Sequence, residues 1–175
     1  MFSYCVPMSN WKVIYVSSRA EKKVAERLKE KGIECYLPIK KEMKQWSDRK
    51  KMVESPLING YVFVRPKPLQ RDVVLQQQGV LNYVRYNGGD AVVREMEIEA
   101  LKSIEEKGYH VKGAFSNVFS QGDKVKIEYG PFKGLYGSVK AEAKQHVFYI
   151  AIEGIGYTLT VKVPDEVLAK IKCTT

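Results

Sequence analysis

Apolar and polar positions alternate along this chain with two different periods, and the points where the period changes divide it into elements. Trp11 to Val16 (Trp-Lys-Val-Ile-Tyr-Val) is rich in β-branched and aromatic residues and predicts a strand. Ala20, Val24, Ala25 and Leu28 then fall on one face at helical spacing. Ser18 followed by Glu21 fits a capping box that would open this helix, and Gly32 ends it. Ile33–Ile39 predicts a second strand and Gly60–Arg65 a third. Pro66 and Pro68 open a short helix through Leu69, Val73 and Val74, which Gly79 stops. A fourth strand follows at Val80–Tyr86, then a turn at Asn87-Gly88-Gly89-Asp90. The last helix of this region, Glu95–Lys107, presents Ile98, Leu101 and Ile104 inward and stops at Gly108.

The order βαββαβ, with a small extra strand and a terminal helix, predicts a ferredoxin-like α+β layer over residues 1–108. Residues 109–118 carry no periodicity and two small-residue breaks, which reads as a linker. From 119 to 175 the pattern changes. Gly122-Asp123 is a turn pair, and Val125 and Ile127 alternate with Lys124, Lys126 and Glu128 in a half-buried strand. Gly130-Pro131 ends that strand, and Gly134 and Gly137 permit a tight return. Val139, Val147, Tyr149, Ile150, Ile152, Thr158, Thr160, Val161 and Val163 continue the strand-forming pattern. A small five-stranded β-barrel is expected there, with at most a short helix near Glu166–Lys170. Two domains are expected, and no internal repeat.

Charge changes the picture next. Lys and Arg number 29 against 20 for Asp and Glu, and this net charge of +9 favours a polyanionic partner, nucleic acid first. No run approaches a membrane-spanning length, and the N-terminus has neither a basic region nor a long apolar core. Cys5, Cys35 and Cys173 are few, odd in number and far apart. They fit no metal site or disulfide framework and suit a reducing cytoplasm. His110 and His146 have no nucleophile partnered with them in any motif, and no phosphate loop or dinucleotide fingerprint occurs, so catalysis is not expected.

One segment stands apart. Lys40 to Lys51 reads Lys-Lys-Glu-Met-Lys-Gln-Trp-Ser-Asp-Arg-Lys-Lys, six basic and two acidic residues around Trp46. A solvated hairpin tip accounts for it, and contact with a nucleic-acid backbone or an acidic protein face is the alternative.

The pattern Gly-Asp-x-Val-x-Ile-x-x-Gly-Pro-Phe-x-Gly-x-x-Gly at 122–137 resembles the KOW motif of NusG-type transcription elongation factors. Asn59-Gly60-Tyr61-Val62-Phe63-Val64 and Gly79-Val80-Leu81-Asn82-Tyr83-Val84-Arg85-Tyr86 are similar to two segments of the NusG N-terminal domain, as is Tyr36-Leu37-Pro38. The segment Gln45–Lys51 is more like the specialised paralogues, RfaH-like and UpxY-type, than like housekeeping NusG.

The resemblance implies a cytoplasmic bacterial elongation and antitermination factor with no cofactor. It would bind the clamp helices of the largest RNA polymerase subunit and suppress pausing and termination. Tyr61 and Phe63, two apart on one strand, match the positions that line the family's polymerase-binding cavity, with Ile58 and Tyr36 beside them. The alternative is that both aromatics are ordinary sheet core. The family also contacts the non-template DNA strand, which the resemblance places near Arg19, Lys22, Lys23 and Arg27, with Gln78 as a base-reading candidate. These basic residues also fit a plain charged helix face balanced by Glu21, Glu26 and Glu30.

In the barrel, relatives use an Ile-Phe pair to grip a small-subunit ribosomal protein or the termination factor Rho. Gly154 and Ile155 stand there, followed by Gly156 and Tyr157, so half of that knob is missing. Ile155, Tyr157 and Phe132 are the candidates for a barrel partner. The competing reading is a KOW-containing, RNA-binding ribosomal or translation-associated protein. That class would concentrate charge on the barrel. Instead residues 1–108 carry twenty basic against fourteen acidic side chains, and residues 109–175 nine against six.

Overall fold

The computed structural model describes residues 10–45, 48–108, 111–115, 125–127, 136–142, 145–163 and 173–174. The N-terminal half runs β1 (Trp11–Val16), α1 (Glu21–Glu30), β2 (Glu34–Tyr36), β3 (Ile39–Gln45), β4 (Lys50–Pro56) and β5 (Tyr61–Arg65). It continues through α2 (Arg71–Leu75), β6 (Val80–Tyr83), β7 (Arg85–Tyr86), β8 (Gly89–Asp90), β9 (Val92–Val93) and α3 (Glu95–Lys107). The main sheet has the order β2-β5-β1-β6, with β9 also paired to β1. Every one of these pairings is antiparallel, so β5 lies between β1 and β2, which run parallel to each other. That is the ferredoxin-like arrangement the pattern predicts.

Alternation gives the sheet two apolar faces, each with its own cover. Ile14, Val16, Val62 and Val64 form one core with Val24, Ala25 and Leu28 of α1 and Val74 of α2. On the opposite face Trp11, Val13 and Phe63 pack with Ile98, Leu101 and Ile104 of α3. α3 has the expected bounds, and Gly108 ends it in the left-handed conformation.

The start of α1 differs from expectation. Ala20 occupies the N-cap, and no side chain caps the helix. Glu21 is buried and its carboxylate accepts the Gly60 N–H at 2.9 Å. A donor held in the core, 39 residues away, outcompetes the local box. The expected strand at 33–39 also splits: β2 stays in the sheet, while β3 leaves it to form a two-stranded ribbon with β4.

The C-terminal half consists of β10 (Val111–Phe115), β11 (Val125–Ile127), β12 (Tyr136–Glu142), β13 (Gln145–Ile152), β14 (Tyr157–Val163) and β15 (Cys173–Thr174). They form a six-stranded antiparallel sheet in the order β10-β14-β13-β12-β11-β15. Within the stretch read as a linker, Val111–Phe115 is a strand paired to β14 along its whole length. Pairing with a neighbour's free edge supplies the order that residue pattern alone did not reveal. Among the described residues no pairing closes this sheet from β10 to β15 into the expected five-stranded barrel. The turns of the Gly122–Gly137 motif, Trp46 and Glu166–Lys170 lie outside the described residues.

The two halves share one apolar core. Ile150, Ile152, Ile155, Tyr157, Leu159 and Val161 are buried in the same cluster as Trp11, Phe63, Val93 and α3. The seam is polar at its edge. The buried Glu97 carboxylate accepts the N–H of Arg94 at 2.7 Å and that of Glu153 at 3.0 Å. The Arg94 guanidinium in turn donates to Glu153 at 2.6 Å. Gly154 comes so close to β9 that a Cβ there would overlap the Val92 carbonyl oxygen.

Candidate functional site

The α3-side face of the main sheet changes character along its length. Register pairs Val13 with Phe63 and Tyr15 with Tyr61. These four side chains share one face because each strand alternates in step. Phe63 has no exposed surface and Ile58 has 1%, both held in the shared core. Two residues away, Tyr61 is half-buried and Tyr15 is 42% exposed. Their rings meet edge to face at 5.4 Å. α3 and the C-terminal sheet cover the Phe63 end, and nothing in the described structure covers the tyrosine end.

The uncovered end is concave. A broad, open depression of about 540 Å³ is lined by Tyr15, Asn59, Tyr61, Asn82, Tyr83, Val84 and Arg85. Its floor is aromatic and its rim carries two amides and one guanidinium. Gly60 frames this end with a positive φ of 78°, and a Cβ there would stand 2.9 Å from the Tyr15 ring. The Asn59-Gly60 corner therefore favours glycine at its second position, since any other side chain would be strained there and would displace the Tyr15 ring.

Tyr36 lies at the covered end beside Phe63, ring centroids 6.3 Å apart. It donates its hydroxyl to Glu105 at 3.0 Å, and Lys102 sits 5.7 Å from its ring centre. Burial, then the Glu105 carboxylate, raise the Tyr36 phenol far above its ordinary range, so it stays a neutral donor. Burial likewise pushes Tyr83 up to about 12, against the lowering effect of Arg71, whose guanidinium lies 4.4 Å from that ring's centre.

The basic candidates lie on and beside α1. Arg19, Lys22 and Lys23 are exposed at its N-terminal end, Arg19 with a φ of 65°. Lys22 makes an ion pair with Glu54 of β4 at 3.5 Å. Arg27 is half-buried and donates to the Gln78 carbonyl at 2.8 Å. That bond joins α1 to the turn before β6 and leaves the Gln78 side chain exposed. Arg19, Lys22, Lys23, Arg27 and Gln78 thus come together on the opposite side of the sheet from α3, while Ile58, Tyr61, Phe63 and Tyr36 gather on the α3 side.

The C-terminal candidates are placed differently. Ile155 is 6% and Tyr157 5% exposed, both inside the seam between the halves. Phe132 lies outside the described residues. Sequence reasoning missed Tyr15, Asn82 and Arg85. The signal for Tyr15 was present: it continues the Trp11, Val13 alternation onto the face that carries Tyr61.

Among the described residues no group of three or more His, Cys, Asp or Glu is placed to hold a metal ion. Nor is any helix long and apolar enough to cross a membrane. A family model described as transcription termination factor nusG matches residues 9–105, more than half of the chain. The chain belongs to the NusG family. Among relatives, the transcription termination/antitermination protein NusG of Borreliella burgdorferi is 25% identical over 183 aligned positions, spanning 92% of this chain and 98% of its own. A solved structure described as "Domain interaction in Thermotoga maritima NusG" superposes with a TM-score of 0.55 at 20% identity, covering 95% of this chain and 97% of that one. At that identity the likeness is one of fold. NusG-family proteins are transcription factors that work with RNA polymerase, not enzymes.

Proposed function

We propose that this NusG-family chain is an elongation and antitermination factor that seats on the clamp helices of RNA polymerase and suppresses pausing and termination. The observation that carries the reading is the uncovered aromatic cavity at Tyr15 and Tyr61. Its size and polar rim suit the tip of a helical coiled coil. Ile58, Phe63 and Tyr36 support that floor from beneath or beside it, and Ile58 and Phe63 meet a partner only after the C-terminal half moves. On the opposite side, Arg19, Lys22, Lys23 and Arg27 supply salt-sensitive contact to the non-template DNA strand, and Gln78 offers an amide to a base. The resemblance of Gln45–Lys51 supports a specialised rather than a housekeeping member. A barrel partner such as a small-subunit ribosomal protein would need Ile155 and Tyr157 released from the seam.

The test is binding of the full chain to reconstituted bacterial elongation complexes, with and without an intact non-template strand. Tyr15→Ala combined with Tyr61→Ala should weaken binding at least about thirtyfold, as expected for central aromatic anchors. Removing the non-template strand should cost affinity through α1 alone. A folded double variant that binds as well as the parent would remove the cavity from the site. Binding only to free RNA or ribosomes would favour a translation-associated role.

A further inference from the structure

The ribbon of β3 and β4 has no part in the function proposed above. It pairs with no third strand among the described residues, and each of its strands has seven residues, a reach of about 23 Å. Register fixes its two faces. Lys41, Met43, Gln45, Lys50, Met52 and Glu54 share one, and Lys40, Glu42, Lys51 and Val53 are on the other.

Met43 is 61% and Met52 53% exposed, directly opposite each other. Lys40 pairs with Glu42, and Lys41 shares Glu54 with Lys22 of α1. Arg49, Lys50 and Lys51 are exposed with no carboxylate partner among the described residues. A merely solvated hairpin accounts for the lysines. It does not account for two thioethers left in water at mid-ribbon, framed by cations on both faces.

We propose that this ribbon is a second nucleic-acid site, one that enters a groove of double-stranded DNA. The argument is geometric and electrostatic. The major groove of B-form DNA, about 12 Å wide, admits a two-stranded ribbon and is walled by two phosphate backbones. The unpaired cations lie on both faces, Lys50 on one and Lys51 on the other, and their long side chains reach toward the two walls. The methionine pair lies on the Lys50 face, and with that face turned to the groove floor it meets base edges and thymine methyl groups, which offer apolar contact. A flat acidic protein surface would engage one face and leave the other face's charge unanswered. A single strand offers one backbone, and that is the class assigned to α1. The proposal does not rest on polymerase binding, since the ribbon needs only a duplex.

The experiment measures anisotropy of a short labelled duplex, and of the matching single strand, with the full-length chain between about 50 and 200 mM salt. Lys50→Gln with Lys51→Gln should weaken duplex binding about tenfold or more and reduce the slope of log affinity against log salt by about two, one unit per lost phosphate contact. Lys31→Gln with Lys67→Gln removes the same charge from exposed positions at the Glu34–Arg65 end of the sheet, opposite the end where β3 leaves it, and should change little. Met43→Ser with Met52→Ser should weaken the duplex complex without changing the salt slope. Equal losses in both lysine pairs, equal affinity for the single strand, or binding to poly-glutamate in place of duplex would each overturn the proposal. Tyr61→Ala should leave duplex binding intact, which separates this result from failure of the polymerase reading.

Discussion

Phe63 and Tyr61 sit two residues apart on one strand and one face, yet one is sealed and the other faces a cavity. Strand geometry treats them alike. What separates them is cover: α3 and the C-terminal sheet extend over Phe63 and stop short of Tyr15 and Tyr61. A single sheet face therefore serves as core at one end and stands open at the other. The packed end anchors the open end, so a partner docking there as proposed would meet aromatic side chains already in position, with less ordering entropy opposing binding.

The sharpest way to break this comparison is to truncate both aromatics. Phe63→Ala should cost about 3–5 kcal/mol of stability, read as a shifted urea midpoint. Fully active, fully stable Phe63→Ala protein would mean the ring belongs to the open surface instead. Next comes the seam that seals the Phe63 end. Gly154→Val drives a side chain into the Val92 carbonyl and should cost about 1–3 kcal/mol, or part the halves. Small-angle scattering would then report a larger radius, and amide exchange would quicken at Val93–Ile98 and at Ile152–Tyr157. An unchanged radius and exchange pattern would show that the seam tolerates a wedge. Tyr61→Ala should cost only about 1 kcal/mol in the same urea titration, because its ring is half-buried where that of Phe63 is fully buried. A loss as large as that of Phe63→Ala would erase the distinction between the two ends.

The smallest effect is a pH dependence at the seam. Burial raises the Glu97 carboxyl above its ordinary value of 4.5, outweighing its two backbone donors and Arg94, while Glu153 also raises it. The folded chain then keeps this proton at a pH where the unfolded chain has released it. The resulting stabilisation is complete below pH 4.5 and is lost as pH rises through the raised value. Glu97→Gln keeps an acceptor oxygen and should flatten that part of the stability profile. A profile that Glu97→Gln leaves unaltered would assign the slope to other carboxylates.

Much of this was legible in the residues. The βαββαβ order follows from where period two gives way to period 3.6, and α3 has the bounds its spacing predicts, because Gly108 is a strong stop. What pattern did not reveal was always a choice between partners distant in sequence. Glu21 abandons a local cap for the Gly60 amide, Val111–Phe115 borrows order from the edge of β14, and β3 leaves the sheet for β4. The site divides along the same line. Tyr61 and the α1 cations are readable as candidates because each needs only its own element. The burial of Phe63, Ile155 and Tyr157 depends on a second half of the molecule whose position no local spacing encodes.

The Gly154 contact has a genetic consequence. Its neighbour is a backbone oxygen, which no substitution at position 92 removes. Every amino acid reachable from a glycine codon by one base change carries a Cβ. The seam thus has no neutral first step at this position: its loosening begins in a single base change, and its repair by a change elsewhere must move a strand.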